Sequence, residues 1–316
     1  MNITSSDPHL LEYSKKQEIK KSKTFSRILN SRSRRKKYSK DESGINFHNG
    51  QRKLLLSEVE FMTNEYDKFD DNEKKIILYI GASAGINSVH TYYLVKMFPE
   101  FEYHFYDKNS FFPKLYSLEN VIIFKRYFTE DDYKTYKNKN VFLICDLRDL
   151  AIGNAKKKEN LNELNKIILD DITFQRQIYE NIQPKSALLK FRLPWKKGTT
   201  EYLDGTIYYQ CWQGPHSTET RLVPNGKIKK YDNTSYEERL FYFNTETRRR
   251  YYEHPCKCYG HCYDCTSEFI ILSNYIKKFN KKICICELGK EITEYLTFLN
   301  PKKVLFKNPP LNKYHI

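Results

Sequence analysis

Apolar and polar positions along the chain fall into blocks that change period. Leu54, Leu55, Val59, Phe61 and Met62 recur near helical spacing in QRKLLLSEVEFMTNEYDKF, which predicts an amphipathic helix. The run KKIILYIGAS reads as a strand, NSVHTYYLVKMF as a helix, and EYHFYDK, VIIFKRYF and VFLICDLRD as further strands. Strands alternating with helices imply an α/β fold built on a parallel sheet. Residues 161–182 are helical by period, and beyond Pro184 the runs SALLKFRLPW, GTIYYQCW and ETRLV follow one another without clear helices between them. The sheet is therefore expected to end in antiparallel strands. Farther on, the pattern predicts helices from Tyr236 to Glu253 and from Glu268 to Phe279, separated by a Cys/His-rich knot at 254–265. Cys284 and Cys286 alternate with isoleucine, as in a strand.

The 316 residues suit one large domain or two smaller ones, and 26 tyrosines and 20 phenylalanines are ample for a core. The net charge of +15 favours a polyanionic partner, of which nucleic acid is the commonest. Much of it lies in residues 15–40, with twelve Lys or Arg against the single acid Glu18. So few large apolar residues predict that residues 1–44 form a basic arm, disordered on its own, while residues 45–316 fold. Such an arm suits RNA binding or nuclear import, and equally a solvated tail. No window approaches the roughly 18 to 20 apolar residues of a membrane span. The N-terminus lacks the apolar core of a secretion signal, so no membrane partner, a cytoplasmic location and reduced or metal-bound cysteines are expected.

The candidate chemistry sits at strand ends. Gly81 and Gly85 end the first predicted strand, where a parallel sheet binds its ligand and a glycine backbone allows close approach. Asp107 ends the second, in position to accept hydrogen bonds from a ribose. The same residues would also serve a tight turn and a cap. The loop lacks the Lys-Ser/Thr of a triphosphate-binding motif and misses the dinucleotide spacing, which leaves S-adenosylmethionine as the better-fitting nucleoside cofactor. Asp146 closes a later strand, and Glu219 opens another. Lys190, flanked by Leu188, Leu189 and Phe191, either pairs with those carboxylates or projects from an exposed strand face.

With Lys53 on the first helix, the order is Lys-Asp-Lys-Glu, and here the chain resembles a known family. GQRKLLLSEVEF, YIGASAG, FYDK, IIFKRYF, LICDLR, LLKFRLPW, STETRL and NTSYEERLFYFN together resemble the poxvirus cap-specific mRNA nucleoside-2′-O-methyltransferase, which also serves as the regulatory subunit of the viral poly(A) polymerase. The resemblance runs from about Gly50 to about Asn244. It implies a Rossmann-like S-adenosylmethionine-dependent methyltransferase sheet with helices on both faces, and Lys53, Asp146, Lys190 and Glu219 as the catalytic tetrad. Gln51, Leu54, Tyr79, Gly81, Gly85, Asp107, Asp146 and Arg148 stand where the family contacts the methyl donor. Trp195 stands where one ring stacks on the 7-methylguanine cap, Glu237 where a carboxylate bonds the base, and His216 where the family has another aromatic residue. The second stacking ring falls among Tyr13, Phe25, Tyr38 and Phe47. The chain departs from the family at Ala84, where proline is usual, at Asn109, where a basic residue is usual, and at Lys197, near the place of a second base-contacting carboxylate.

By this resemblance the substrate is capped mRNA, and the catalytic subunit of a poly(A) polymerase is a possible partner. Two other functions compete: a non-catalytic processivity factor for poly(A) polymerase that keeps the fold as a scaffold, and a methyltransferase for internal RNA 2′-hydroxyls. The complete tetrad favours catalysis, and Trp195 with Glu237 favours the cap. Apart from the resemblance, Cys256, Cys258, Cys262 and Cys265 supply CxC and CxxC pairs that meet the demands of tetrahedral zinc, although the pairs lie closer together than in most zinc modules. Reduced cysteines in a surface loop would give the same pattern.

Overall fold

The computed structural model describes residues 7–15, 17–44, 49–147 and 161–298. Five strands run parallel: β2 (Ile76–Ile80), β3 (Glu102–Tyr106), β4 (Val121–Phe124), β5 (Val141–Cys145) and β6 (Ser186–Phe191). They lie in the order β4-β3-β2-β5-β6. The strand β8 (Thr220–Asp232) pairs antiparallel with β6, and β7 (Thr199–Tyr208) pairs antiparallel with β8. A two-residue strand, β1 (Ile28–Leu29), closes that edge against Ile207 and Tyr208. The antiparallel end anticipated from the sequence is therefore present.

Every residue of IILYI and VFLIC is buried, as a parallel strand covered on both faces requires. Successive side chains point to opposite faces, so Ile77, Tyr79, Phe142 and Ile144 join one core and Leu78, Ile80, Leu143 and Cys145 the other. The first core packs under α2 (Gly50–Glu65), α3 (His90–Met97), α7 (Tyr263–Lys278) and α8 (Ile285–Phe298). The second packs under α4 (Tyr133–Tyr136), α5 (Leu161–Ile182) and α6 (Asn233–Thr245). Helix α2 starts where the Asn49 side chain accepts the Arg52 backbone N–H, and α6 where Asp232 accepts that of Ser235. Burying Leu55, Leu56, Val59, Phe61 and Met62 of α2 contributes about 1.5 to 3 kcal/mol each.

Three expectations are corrected. Residues 17–44 are laid along the body. Arg27 is buried, its guanidinium clasped by Glu60 (2.7 and 3.0 Å) and within reach of Tyr263 and Ser267, and Leu29 of β1 is buried. Lys36 reaches Glu42 and Glu246, and Arg35 reaches Glu238. A few well-placed apolar side chains and acids elsewhere on the body suffice to dock a segment that composition alone assigns to solvent. Residues 285–298 are helical, because Leu288, Ile292 and Leu296 form a buried stripe at four-residue spacing that outweighs the short alternation around Cys284 and Cys286. Helix α7 begins at Tyr263 with Cys262 as its cap, so the end of the Cys/His knot is its first turn.

Two ion pairs with fully buried partners tie neighbouring segments to α7: Arg52 of α2 with Glu268, and Arg248 of the turn after α6 with Asp264 (2.6 Å). Glu268 also accepts from the Trp212 indole N–H (2.9 Å) and the Tyr259 hydroxyl (3.2 Å). Removing one member of such a pair typically costs about 3 to 5 kcal/mol.

Candidate active site

The chain leaves β2 toward β3 and β4, then returns to add β5 and β6 on the other side, so the carboxyl ends of β2 and β5 flank a crevice where open α/β sheets bind ligands. Gly81 follows β2 with φ +77°, and a Cβ there would come within 2.6 Å of the Asp146 carbonyl oxygen. Only glycine lets the two strand ends approach so closely. Gly85 has φ +115° and open space where its side chain would stand. Gln51 of α2 spans the loop, donating to the Asn87 carbonyl and accepting the Val89 and His90 backbone N–H groups at the start of α3. The Asp107 carboxylate accepts the backbone N–H groups of Ser83 and Asn109, and burial raises its pKa. Leu54 is buried on α2.

The four tetrad residues, brought from α2 and from the ends of three strands, converge. Lys53 donates to Glu219 at 2.6 Å. Lys190 Nζ lies 3.7 Å from Asp146 Oδ1 and 3.6 Å from Glu219 Oε2, and donates to the Leu147 carbonyl at 3.2 Å. Burial lowers the Lys53 pKa, opposed by Glu219. A fifth charge completes the set. Arg221 stands opposite Lys190 in the β6–β8 register, with its guanidinium 3.1 Å from Asp146 and 3.4 Å from Glu219. Like charges directly opposite on paired strands repel, and here the two carboxylates between them supply the compensation. Arg221 was missed from the sequence; its place two residues after Glu219, on the same strand face, was the available signal.

Tyr79 departs from the expected donor contact. Its ring lies in the core and its hydroxyl donates to the buried Glu58 (2.6 Å). Arg148 and Phe47 lie outside the described residues.

The expected cap residues surround α6. Trp195 is half-buried, its backbone N–H accepted by Asn165, with the Arg192 guanidinium 4.0 Å from its ring centroid. Asn233 of α6 donates to the carbonyl of Lys196, and Tyr236 to that of Thr218. Glu237 is half-buried on the same helix, and burial followed by the neighbouring Glu238 raises its pKa. His216 is exposed, 3.3 Å from the Ser43 hydroxyl. Of the candidate second rings, Phe25 is enclosed by Tyr252 and Tyr263, Tyr13 lies under Arg249, and Tyr38 is exposed beside Phe241 of α6. Lys197 is exposed.

The four cysteines proposed as one zinc set divide into two groups. Cys256 and Cys258 lie with Cys286, and Cys258 and Cys286 form a disulfide where reduced thiols were expected. Cys262 lies with Asp7 and His9. Cys262 caps α7 and Cys265 lies in its first turn.

A doubly wound sheet with two reversed strands at one edge, a glycine turn after its first parallel strand, an acid after the second and a lysine held between carboxylates at the crevice define a Rossmann-like fold of the methyltransferase type. Within it, the chain belongs to the poly(A) polymerase regulatory subunit family, whose profile matches residues 20–298. It is similar to the cap-specific mRNA (nucleoside-2′-O-)-methyltransferase of fowlpox virus (strain NVSL), 28% identical over 236 residues that span 68% of this chain and 73% of the relative. A solved structure titled as bluetongue virus VP4, a multifunctional RNA-capping production line, aligns with 13% identity and a TM-score of 0.36 over 76% of this chain. This chain spans only 44% of that protein's length.

Proposed function

We propose that the protein is an mRNA cap-specific 2′-O-methyltransferase that moves a methyl group from S-adenosylmethionine to the ribose 2′-hydroxyl of the first transcribed nucleotide. The observation that carries this reading is the placement of Lys190 Nζ between Asp146 and Glu219 at the mouth of the crevice beside the glycine loop. The residues present fit the donor: Gly85 leaves open space in the loop, and the Asp107 carboxylate at the end of β3 suits a ribose. Gln51, Leu54, Gly81 and Asp146 border the same crevice. The donor supplies an activated sulfonium methyl group.

The chain's own residues then have two tasks, alignment and proton removal. Lys190 approaches the 2′-hydroxyl, and Asp146 and Glu219 fix its ammonium in direction. Lys53 and Arg221 hold those carboxylates in turn, so that neither swings away when Lys190 gives or receives a proton. The cap is held by stacking on Trp195, with Tyr38 as the second ring, and by the Glu237 carboxylate on the base. His216 borders this pocket. A cationic 7-methylguanine between aromatic faces gains about 0.5 to 2 kcal/mol. For Trp195 this requires the open face of its indole or displacement of Arg192.

The family assignment favours a second role for the same chain, as the regulatory partner of a poly(A) polymerase catalytic subunit in a cytoplasmic viral setting. Incubating capped and uncapped RNA of one sequence with labelled methyl donor tests the enzymatic reading. Incorporation that depends on the cap supports it, and none into either RNA, with poly(A) polymerase stimulation intact, leaves a processivity factor on a methyltransferase scaffold.

A further inference from the structure

Helix α1 (Pro8–Ser14) and the start of α7 are far apart in sequence, yet they bring four ligand-type side chains into one dry pocket. Asp7, His9, Cys262 and Cys265 are exposed by only 1, 9, 0 and 4%. Ligand atoms of Asp7, His9 and Cys262 all lie within 4.8 Å of one another, and His9 Nδ1 is 3.3 Å from Cys262 Sγ. Nitrogen and sulfur bound to one tetrahedral zinc at about 2.0 and 2.3 Å would be separated by about 3.5 Å. Cys265, three residues after Cys262 in the first turn of α7, adjoins this trio and would supply the fourth ligand. The point where a Cβ on Gly260 would stand is 2.3 Å from Asp7 Oδ2 and 3.1 Å from Cys265 Sγ, so glycine at that position is what allows the two to close in.

The ligands are already oriented. Asp7 accepts the His9 backbone N–H at 2.9 Å through one oxygen and that of Cys262 at 2.8 Å through the other. The Cys265 N–H points at Cys262 Sγ (3.5 Å), and the His9 ring packs edge-on against Trp212. Cys262 and Cys265 have the C-x-x-C spacing of structural zinc ligands, with the first as helix cap.

We propose that Asp7, His9, Cys262 and Cys265 form a structural zinc site that fastens the N-terminal segment to α7. Two thiols lose their protons to solvent as the metal binds, and the four ligands leave no open position for catalysis. The site lies one turn of α7 from Glu268, the residue that anchors Arg52 next to Lys53. Its loss therefore loosens the docking of residues 7–44 before it touches the crevice.

Elemental analysis of the full-length protein, purified under reducing conditions, tests the site. One zinc per chain is expected. Cys262→Ser and His9→Ala should each lower it at least tenfold, His9→Cys should restore it, and Cys256→Ser should leave it unchanged. Because the depleting variants could simply unfold, the second measurement uses the wild-type chain with cobalt(II) in place of zinc. Charge-transfer absorption from two thiolates, with tetrahedral ligand-field bands, is expected. Folded wild-type protein without zinc overturns the site. So does zinc that follows Cys256→Ser instead of Cys262→Ser, or a cobalt spectrum of three or more thiolates.

Discussion

Replacing Lys190 by alanine should abolish methyl transfer without unfolding the protein, whereas replacing Glu219 should do both. Three cations (Lys53, Lys190 and Arg221) face two carboxylates (Asp146 and Glu219), all at least 87% buried. Lys190 is attracted to each carboxylate, at 3.7 and 3.6 Å, by about 4.5 kcal/mol at an effective dielectric constant near 20. Its desolvation and the repulsion of Arg221 and Lys53 oppose that gain, and removing it leaves two cations with two anions. Lys190→Ala should therefore change stability by no more than about 1 kcal/mol, while losing the roughly 10²- to 10⁴-fold that a proton-transfer group contributes, equivalent to about 2.7 to 5.4 kcal/mol of barrier. Glu219→Ala leaves three cations around Asp146 alone, the case of a buried pair broken by loss of one partner, at about 3 to 5 kcal/mol. Thermal unfolding followed beside transfer of labelled methyl to capped RNA separates the two effects. Near-normal turnover in folded Lys190→Ala protein, or a Glu219→Ala protein as stable as the parent, would refute the reasoning.

Other outcomes follow from the same geometry. Trp195→Ala and Tyr38→Ala are expected to weaken a methylated cap analogue by roughly 2- to 30-fold more than unmethylated guanine nucleotide, since the positive charge of the base sets the preference; equal losses for both ligands, measured by fluorescence titration, would make these rings structural. Changing the exposed Lys20, Lys23, Arg32 and Lys37 to glutamine should lower the slope of log affinity for single-stranded RNA against log salt by about 0.7 for each phosphate no longer neutralised, leaving thermal stability unchanged. Deleting residues 1–44 should instead lower stability, because Leu10, Arg27 and Leu29 are buried; unchanged urea unfolding would count against the docked segment. Burial pushes the Glu58 carboxyl up to about 8 from 4.5, so between these values the folded chain holds a proton that the unfolded chain has lost, and stability falls as pH rises. Glu58→Gln should remove that slope, at most about 1.4 kcal/mol per pH unit, and an identical slope in both proteins would clear Glu58 of the effect.

The sheet was legible because its strands are continuous apolar runs and its charged residues stand at their ends. Asp146, Lys190 and Glu219 could be read as partners for the same reason: a strand lysine between Leu189 and Phe191 needs carboxylates, and the strand ends supplied two; Lys53, on a helix, joined them through the resemblance. Arg221 escaped because an arginine on a strand edge is ordinary until the register puts it opposite Lys190. Tyr79 was placed by the resemblance, whereas the alternation of β2 turns its ring into the core. Contacts across long sequence distances left no periodic trace. The docking of residues 17–44, the Arg52–Glu268 pair and the meeting of Asp7 and His9 with Cys262 all depend on the folded arrangement of helices. The helix at 285–298 was hidden by a four-residue alternation shorter than the stripe that decides it.

The central claim, methyl transfer to the 2′-oxygen of the nucleotide next to the cap, is tested most directly with two capped RNAs that differ in one atom. One carries ribose and the other 2′-deoxyribose at the first transcribed position, and each is incubated with labelled S-adenosylmethionine and digested to nucleotides. The account predicts label only from the ribose substrate, located on the first transcribed nucleotide. Equal labelling of both RNAs, or label confined to internal positions, would contradict it.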